Sequence, residues 1–219
     1  MHKQVVLIVA GGSGTRFGSQ LPKHFWCING VPIIILTIQK FLFYNADISI
    51  YLAVHVAYVD YAARLVNHYF NNNSIKITVG GSTRTATVAN ALKLIDGDSH
   101  LAIHDAARPF VSAILIQKMF EALQHTVAAV PIVQVTDTLL HQNSTVERSE
   151  YYVVQTPQCF HAKELKEVHL LAEKEGKYYT DDAQMLRNAG YHVAHIEGET
   201  GNIKITYNDA LMQLIVTEK

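Results

Sequence analysis

Residues 5–23 read VVLIVAGGSGTRFGSQLPK, an apolar run followed by a loop with four glycines, one arginine and one lysine. Glycine lets the backbone turn through positive φ and approach a phosphate closely, so successive N–H groups can converge on an anion. Arg16 and Lys23 add a full positive charge on each side of the loop. The stretch predicts a first strand that ends in a polyphosphate-binding loop, and a flexible glycine loop with solvated charges is the alternative.

The loop matches neither of two common phosphate-binding motifs. It lacks the Gly-Lys-Ser/Thr of a Walker A loop, and Phe17 stands where a dinucleotide fingerprint counted from Gly12 requires glycine. The first acidic residue of the chain is Asp47, so the cations of the first 46 residues have no carboxylate beside them in sequence. Because the formal net charge of the whole chain is only -1, this local excess indicates an anion site and gives no argument for nucleic acid as a partner.

Length and composition favour one domain spanning residues 1–219, since 219 residues with 49% hydrophobic content can bury a sizeable core. Only two cysteines are present, the N-terminal apolar stretch is short for a signal peptide, and no apolar segment reaches the length of a bilayer span. We therefore expect a cytoplasmic, thiol-reduced protein with a small-molecule substrate and no membrane partner.

Strand-like and helix-like segments alternate along the chain, which predicts an α/β fold with a mostly parallel sheet flanked by helices. The predicted strands are Gln4–Val9, Ile48–Val54, Ser74–Val79, Leu101–His104, Val127–Ile132 and His192–Glu197. The predicted helices are Pro32–Tyr44, Val59–Phe70, Thr83–Leu94, Ser112–Leu123, Ala162–Glu175, Asp181–Ala189 and Asn208–Val216. Such sheets bind ligands at the carboxyl ends of their strands.

Residues 134–155 interrupt the alternation with short β-like pieces around a polar tip. We interpret them as a projecting β-arm. Because an isolated two-stranded hairpin is marginal in water, the arm is expected to pack against another surface, with a second subunit as the candidate.

Two segments that follow predicted strands carry polar side chains suited to ligands. In GGSTRTATV (80–88) a glycine pair leads into a helix N-terminus, which can grip a base or ribose or can be a plain capped turn. In IHDAARPFV (103–111) Asp105 can hold a magnesium ion or a sugar hydroxyl, and Arg108 can bind a phosphate. A structural Asp–Arg pair is the competing interpretation.

Two further segments remain ambiguous by pattern alone, and a third has a structural explanation. In VVQTPQCF (153–160) Thr156 or Gln158 can hydrogen-bond a ligand, or Pro157 simply makes a turn. In GNIKIT (201–206) alternation predicts Asn202, Lys204 and Thr206 on one face of a strand, towards solvent or towards a ligand. Capping of a helix accounts for TDDA (180–183) without any function. Neither a zinc-binding cluster nor a G-x-S-x-G elbow is present in the sequence.

Taken together and in this order, AGGSGTRFGSQLPK, GGSTRTATV, HDAARP, QTPQCF, TDDA and GNIKIT resemble the 2-C-methyl-D-erythritol 4-phosphate cytidylyltransferase family. The resemblance implies a nucleotide-diphospho-sugar transferase-like fold. It also implies transfer of CMP from CTP to methylerythritol phosphate in the non-mevalonate isoprenoid pathway, with Mg²⁺, release of pyrophosphate, and a homodimer clasped by exchanged β-arms.

The resemblance also implies roles for individual residues. Those implied to be catalytic are Arg16, Lys23, Arg148 and Lys204, with Arg148 reaching the substrate phosphate of the neighbouring subunit. Those implied to line the nucleotide are Ala10, Gly11, Gly12, Gly14, Gly81, Ser82 and Thr87. Those implied to contact methylerythritol phosphate are Asp105, Arg108, Thr138, Thr156 and Thr180, with Asp105 also the candidate metal ligand.

Two other functions stay open at the level of sequence. A ribitol-5-phosphate cytidylyltransferase shares the fold, although that family more often has valine at the position of Ala107. A non-catalytic nucleotide-binding homologue is expected to have lost Arg16, Lys23 or Lys204, all of which this chain retains.

Overall fold

In the computed structural model, which describes residues 2–11, 21–70, 74–177, 179 and 181–206, one large sheet is covered by helices on both faces. The strands are β1 (Gln4–Ala10), β2 (Cys27–Ile28), β3 (Val31–Pro32), β4 (Ser49–Val54), β5 (Ile75–Val79), β6 (His100–Asp105), β7 (Ala128–Gln134), β8 (Leu140–His141), β9 (Ser144–Thr145), β10 (Tyr152–Val154), β11 (Gln158–His161) and β12 (Val193–Glu197). The helices are α1 (Ile33–Tyr44), α2 (Val59–Tyr69), α3 (Arg84–Leu92), α4 (Ala113–Ala122), α5 (Ala162–Lys174) and α6 (Asp182–Asn188).

The large sheet has the order β10-β7-β11-β6-β1-β4-β5, and β12 pairs with β7 as well. Strand β1 runs parallel to β4 on one side and to β6 on the other. Its apolar run follows from this central position, because a parallel strand covered on both faces has no side that meets water. Val6 and Ile8 pack towards α1, α2 and α4, whereas Val5 and Leu7 pack towards α3, α5 and α6.

The predicted alternation is confirmed, and the predicted ends of the elements within the described residues differ from the observed ends by at most two residues. The predicted helix Asn208–Val216 lies outside the described residues. None of the helices that the structure describes is long and apolar enough to cross a membrane.

One strand of the large sheet was absent from the prediction. Strand β11 lies antiparallel between β6 and β7, within a stretch that the sequence predicted as a turn around Pro157. Cys159 and Phe160 of this strand are fully buried. A strand of four residues is too short to show a hydrophobic periodicity in the sequence. The turn itself is present, immediately before β11, and connects it to β10.

The segment predicted as a β-arm lies between β7 and β10. Strand β10 pairs antiparallel with the end of β7, and beyond this pair β8 and β9 form a two-stranded hairpin of their own. Most residues from 136 to 154 are exposed, among them Leu140, Tyr152 and Val153.

Candidate active site

The carboxyl ends of β1 and β6 bring the two most distinctive sequence segments together. In the parallel register Val9 lies opposite Asp105, and the backbone N–H of Ala106 donates to the carbonyl of Val9 at 3.1 Å. The glycine loop therefore leaves β1 directly beside the HDAARP segment that leaves β6. This is the edge at which open α/β sheets bind their ligands.

Three cations surround the Asp105 carboxylate. Lys204 Nζ lies 2.7 Å from Asp105 Oδ2, and Arg108 Nε lies 3.7 Å from the same oxygen. Arg84 Nε faces the other oxygen, Oδ1, at 4.0 Å. One carboxylate thus meets three positive charges, and the surplus positive charge suits this edge to an anionic ligand.

The same charges determine the protonation of Asp105. Burial by itself raises the pKa of a carboxyl group, but Lys204, Arg84 and Arg108 outweigh it and lower the pKa of Asp105 to about 2. Asp105 is therefore ionised at neutral pH and can accept hydrogen bonds from sugar hydroxyls. Its Oδ1 is the more available acceptor, because 4.0 Å is too long for a hydrogen bond from Arg84.

A chain of hydrogen bonds holds the backbone of Asp105. Its N–H donates to Thr156 Oγ1 at 3.1 Å, and Thr156 Oγ1 lies 3.1 Å from His104 Nδ1. His104 Nε2 lies 3.0 Å from the carbonyl of Arg108, so Nε2 carries the ring proton and Nδ1 accepts from the threonine hydroxyl. Burial lowers the pKa of His104 to about 4, which keeps the ring neutral and this chain intact at neutral pH.

Lys204 is positioned by its neighbours in sequence, although residues 201–206 do not form the predicted strand. Asn202 and Ile205 are buried while Ile203 and Lys204 are exposed, so the predicted shared face of Asn202, Lys204 and Thr206 is wrong. The backbone here is irregular, and its pattern is set by individual contacts. Ile205 packs with Ile33, and its N–H donates to the carbonyl of Ala107 at 2.9 Å.

Asn202 connects this segment to the two loops that carry Arg108 and Thr156. Its carbonyl accepts from Arg108 Nη1 at 2.7 Å, and its Nδ2 donates to the carbonyl of Thr156 at 2.8 Å. Two buried atoms here, Arg108 Nε and Asn202 Oδ1, have no hydrogen-bond partner among the described residues. Buried polar atoms are normally satisfied, so both atoms are candidates to contact a ligand.

A second face of the site is built where the end of β1 meets the turn between β5 and α3. A Cβ atom on Gly11 would lie 2.9 Å from Thr87 Oγ1, and one on Gly81 would lie 2.5 Å from the Cβ of Ala86. Thr87 Oγ1 accepts from the N–H of Gly81 at 2.9 Å and donates to the carbonyl of Thr83 at 2.8 Å. The tight fit explains the glycines, and the buried Thr87 hydroxyl shapes the turn, whereas Ser82 is exposed.

The remaining predicted site residues divide into three groups. Ala10 ends β1 beside Gly11, and Lys23 begins a 3₁₀ turn, Lys23–Phe25, that leads towards α1. Thr138 and Arg148 lie in the arm, where Arg148 Nη1 donates to the carbonyl of Thr136 at 2.6 Å. Within this chain neither residue bonds to Asp105 or to the three cations around it. Arg16, Gly12, Gly14 and Thr180 lie outside the described residues.

Asp105 does not fit the expected role of a direct magnesium ligand. Mg²⁺ needs a carboxylate oxygen at close range, but Oδ2 of Asp105 is ion-paired with Lys204, and a dication at Oδ1 would be repelled by Arg84 at 4.0 Å, whereas a neutral hydroxyl would not be. Nor do the residues that the structure describes contain a group of three or more His, Cys, Asp or Glu side chains able to hold a metal ion.

Sequence reasoning missed Arg84 and Asp182. Arg84 is the first residue of α3, where a positive charge opposes the helix dipole and is stabilised by an anionic partner. That placement was the available signal. Asp182 gave none, because the acidic pair in TDDA is explained equally well by capping.

A mostly parallel α/β sheet that carries a carboxylate surrounded by arginine and lysine at its carboxyl edge, beside the strand end after which the glycine-rich sequence begins, is suited to the phosphorylated ligands of a nucleotidyltransferase. A family model described as 2-C-methyl-D-erythritol 4-phosphate cytidylyltransferase matches residues 4–218. The chain belongs to this family, and it is a cytidylyltransferase.

Individual relatives agree over nearly the whole chain. The 2-C-methyl-D-erythritol 4-phosphate cytidylyltransferase of Bacteroides thetaiotaomicron is 37% identical over 209 residues, which are 93% of this chain and 94% of the relative. That of Carboxydothermus hydrogenoformans is 35% identical over 220 residues, with 96% and 93% covered. The crystal structure of the Thermus thermophilus enzyme superposes with a TM-score of 0.81 at 31% identity and covers 98% of both chains.

Proposed function

We propose that this chain transfers CMP from CTP to 2-C-methyl-D-erythritol 4-phosphate, giving 4-diphosphocytidyl-2-C-methyl-D-erythritol and pyrophosphate in the non-mevalonate route to isoprenoid precursors. Membership of the family supports this reaction over the ribitol phosphate alternative and over a non-catalytic homologue. The observation that carries it is the Asp105 carboxylate, surrounded by Lys204, Arg108 and Arg84 beside the end of β1, after which the glycine-rich sequence begins.

The reaction joins two anions. A phosphate oxygen of the acceptor attacks the α-phosphorus of CTP, the new P–O bond forms, and the bond from the α-phosphorus to the bridging oxygen breaks as pyrophosphate leaves. No covalent enzyme intermediate is needed, so the protein contributes alignment and positive charge. In this proposal Arg16 and Lys23 bind the triphosphate, and Lys204, which is ion-paired with Asp105, helps to orient the reactants.

The acceptor and the nucleotide occupy different faces of the site. Asp105 accepts hydrogen bonds from acceptor hydroxyls, and Arg108 and Thr156 complete that face together with Thr180. Ala10, Gly11, Gly12, Gly14, Gly81 and Ser82 lie along the nucleotide, and Thr87 maintains the turn behind it. The close packing of Gly11 against Thr87 and Gly80 supports this division, because it joins the end of β1 and the β5–α3 turn into one continuous surface.

Magnesium is part of the proposal as a requirement of the triphosphate substrate. Mg²⁺ is commonly held by substrate phosphates and water, which suits a site whose own carboxylate is already ion-paired. The assays below therefore include it, and no role in binding it is assigned to Asp105.

The active form is proposed to be a cytoplasmic homodimer in which each arm reaches the neighbouring site. The exposed apolar residues Leu140, Tyr152 and Val153 support this, since burying them against a second copy removes apolar surface from water. Arg148 and Thr138, which do not contact Asp105 in their own chain, would then serve the partner's acceptor phosphate.

Substrate choice tests the function. With CTP and Mg²⁺, the purified chain should release pyrophosphate much faster with 2-C-methyl-D-erythritol 4-phosphate than with ribitol 5-phosphate, and ATP should be a poor donor. Equal or reversed acceptor rates would favour the ribitol enzyme. Binding of CTP without turnover on either acceptor would favour a non-catalytic homologue.

A further inference from the structure

Asp182 is a buried carboxylate that the proposed chemistry does not use. It is only 1% exposed although it opens α6, and the neighbouring Asp181 already caps this helix by accepting from the N–H of Ala183. A buried carboxylate must be paired to be tolerated, and both of its oxygens are. Oδ2 accepts from Arg84 Nη1, and Oδ1 accepts from His169 Nε2 at 3.0 Å.

Arg84 connects this buried carboxylate to the active site. Its Nη1 is held by Asp182, while its Nε lies 4.0 Å from Asp105 Oδ1. Lys204 and Arg108 both face Oδ2, so among the described residues Arg84 is the cation that faces Oδ1. The positive charge that Asp105 Oδ1 meets is therefore that of Arg84, and Asp182 holds the guanidinium that carries it.

We propose that the buried His169–Asp182 pair is a positioning unit that fixes Arg84 over Asp105 Oδ1 and so presents this oxygen to the hydroxylated acceptor. His169 lies on α5, Asp182 on α6 and Arg84 on α3, so the unit transmits the packing of three helices to one carboxylate oxygen. This inference rests on the proposed function and adds a specificity role to residues that touch neither substrate.

The proposal predicts that loss of the His169–Asp182 hydrogen bond changes KM for the acceptor but not KM for CTP. Without the hydrogen bond from His169, Asp182 is free to shift and Arg84 with it, and Asp105 loses its fixed orientation. Acceptor binding should weaken while CTP binding, on the other face, should not. A purely structural role would instead lower the thermal midpoint and leave both KM values of the folded enzyme unchanged.

His169→Leu is the first test, because it removes the donor, and the side chain also borders a cavity of about 690 Å³ that gives the variant room. We expect KM for 2-C-methyl-D-erythritol 4-phosphate to rise about tenfold, the scale of one hydrogen bond to a charged group, with KM for CTP within about twofold. His169→Gln, whose amide offers a donor near the position of Nε2, should retain most of the acceptor affinity. Should His169→Leu fail to fold, Asp182→Asn removes the negative charge without changing the volume and should give the same shift.

A double-mutant cycle with Arg84→Met completes the experiment. In the Arg84→Met background, His169→Leu should cause no further rise in KM for the acceptor, because its effect passes through Arg84. Unchanged KM values in a folded single variant, or equal penalties with and without Arg84, would overturn the proposal. Absence of pyrophosphate release by the wild-type chain would refute the proposed function instead.

Discussion

At the scale of single residues, the cations around Asp105 determine both its pKa and its contribution to the stability of the fold. Its pKa is lowered from 3.8 to about 2 although burial opposes this. A depressed carboxyl pKa stabilises the fold above the unfolded value and loses that contribution as the pH falls from about 4 towards 2. Lys204 is the nearest of the cations, so the geometry assigns it the largest share of the effect.

Lys204→Met tests this residue and removes the charge while keeping a long side chain. If Lys204 stabilises the charge that develops in transfer, kcat should fall by roughly 100- to 1,000-fold. The pKa of Asp105, followed by NMR, should move up towards its ordinary value. Lys118→Met, on an exposed position of α4, is the matched control and should leave both quantities as in the wild type. Normal turnover of the Lys204→Met enzyme would contradict a catalytic role for this lysine.

At the scale of elements, short and irregular pieces determine the site. Ile205 anchors the segment that carries Lys204, and the connection between β10 and β11 places Thr156 under the backbone of Asp105. The arm is the third such element. Its hairpin, β8 and β9, pairs only with itself in the described chain, which is marginal for an isolated two-stranded unit.

Exchange of arms predicts complementation between two inactive variants. Lys23→Ala disables a site through its own chain, whereas Arg148→Ala disables it through the partner's arm. When the two variants are mixed and subunits exchange, some sites combine wild-type Lys23 with wild-type Arg148, and activity should return in proportion to the heterodimers. Heterodimers shown by differential tags but lacking activity would contradict the exchanged-arm dimer.

The same elements mark the limit of what sequence predicts. Long buried strands such as β1 and amphipathic helices such as α2 follow from hydrophobic periodicity, and the HDAARP and GNIKIT segments point to Asp105 and Lys204. The antiparallel β11 is too short for a periodic signal. The irregular course of residues 201–206 depends on contacts that form only in the folded chain, and so does the Arg84–Asp182–His169 arrangement, whose members are far apart in sequence.

At the scale of the whole molecule, the sheet brings together two surfaces that are distant in sequence. The proposed nucleotide face is built from the end of β1 and the β5–α3 turn, and the proposed acceptor face from the end of β6, the β10–β11 connection and residues 202–205. The faces meet where Ala106 donates to Val9. This division lets two anions be held by separate groups and aligned for transfer.

The KM values of both substrates in Asp105→Asn and Thr87→Val test this division most directly. Asp105→Asn should raise KM for 2-C-methyl-D-erythritol 4-phosphate about tenfold or more and leave KM for CTP within about twofold, because a charged hydrogen-bond acceptor is lost from one face only. Thr87→Val, which releases the N–H of Gly81, should show the reverse pattern. If both substitutions raise both KM values together, the two faces are not separate and the assignment of Asp105 to the acceptor is wrong.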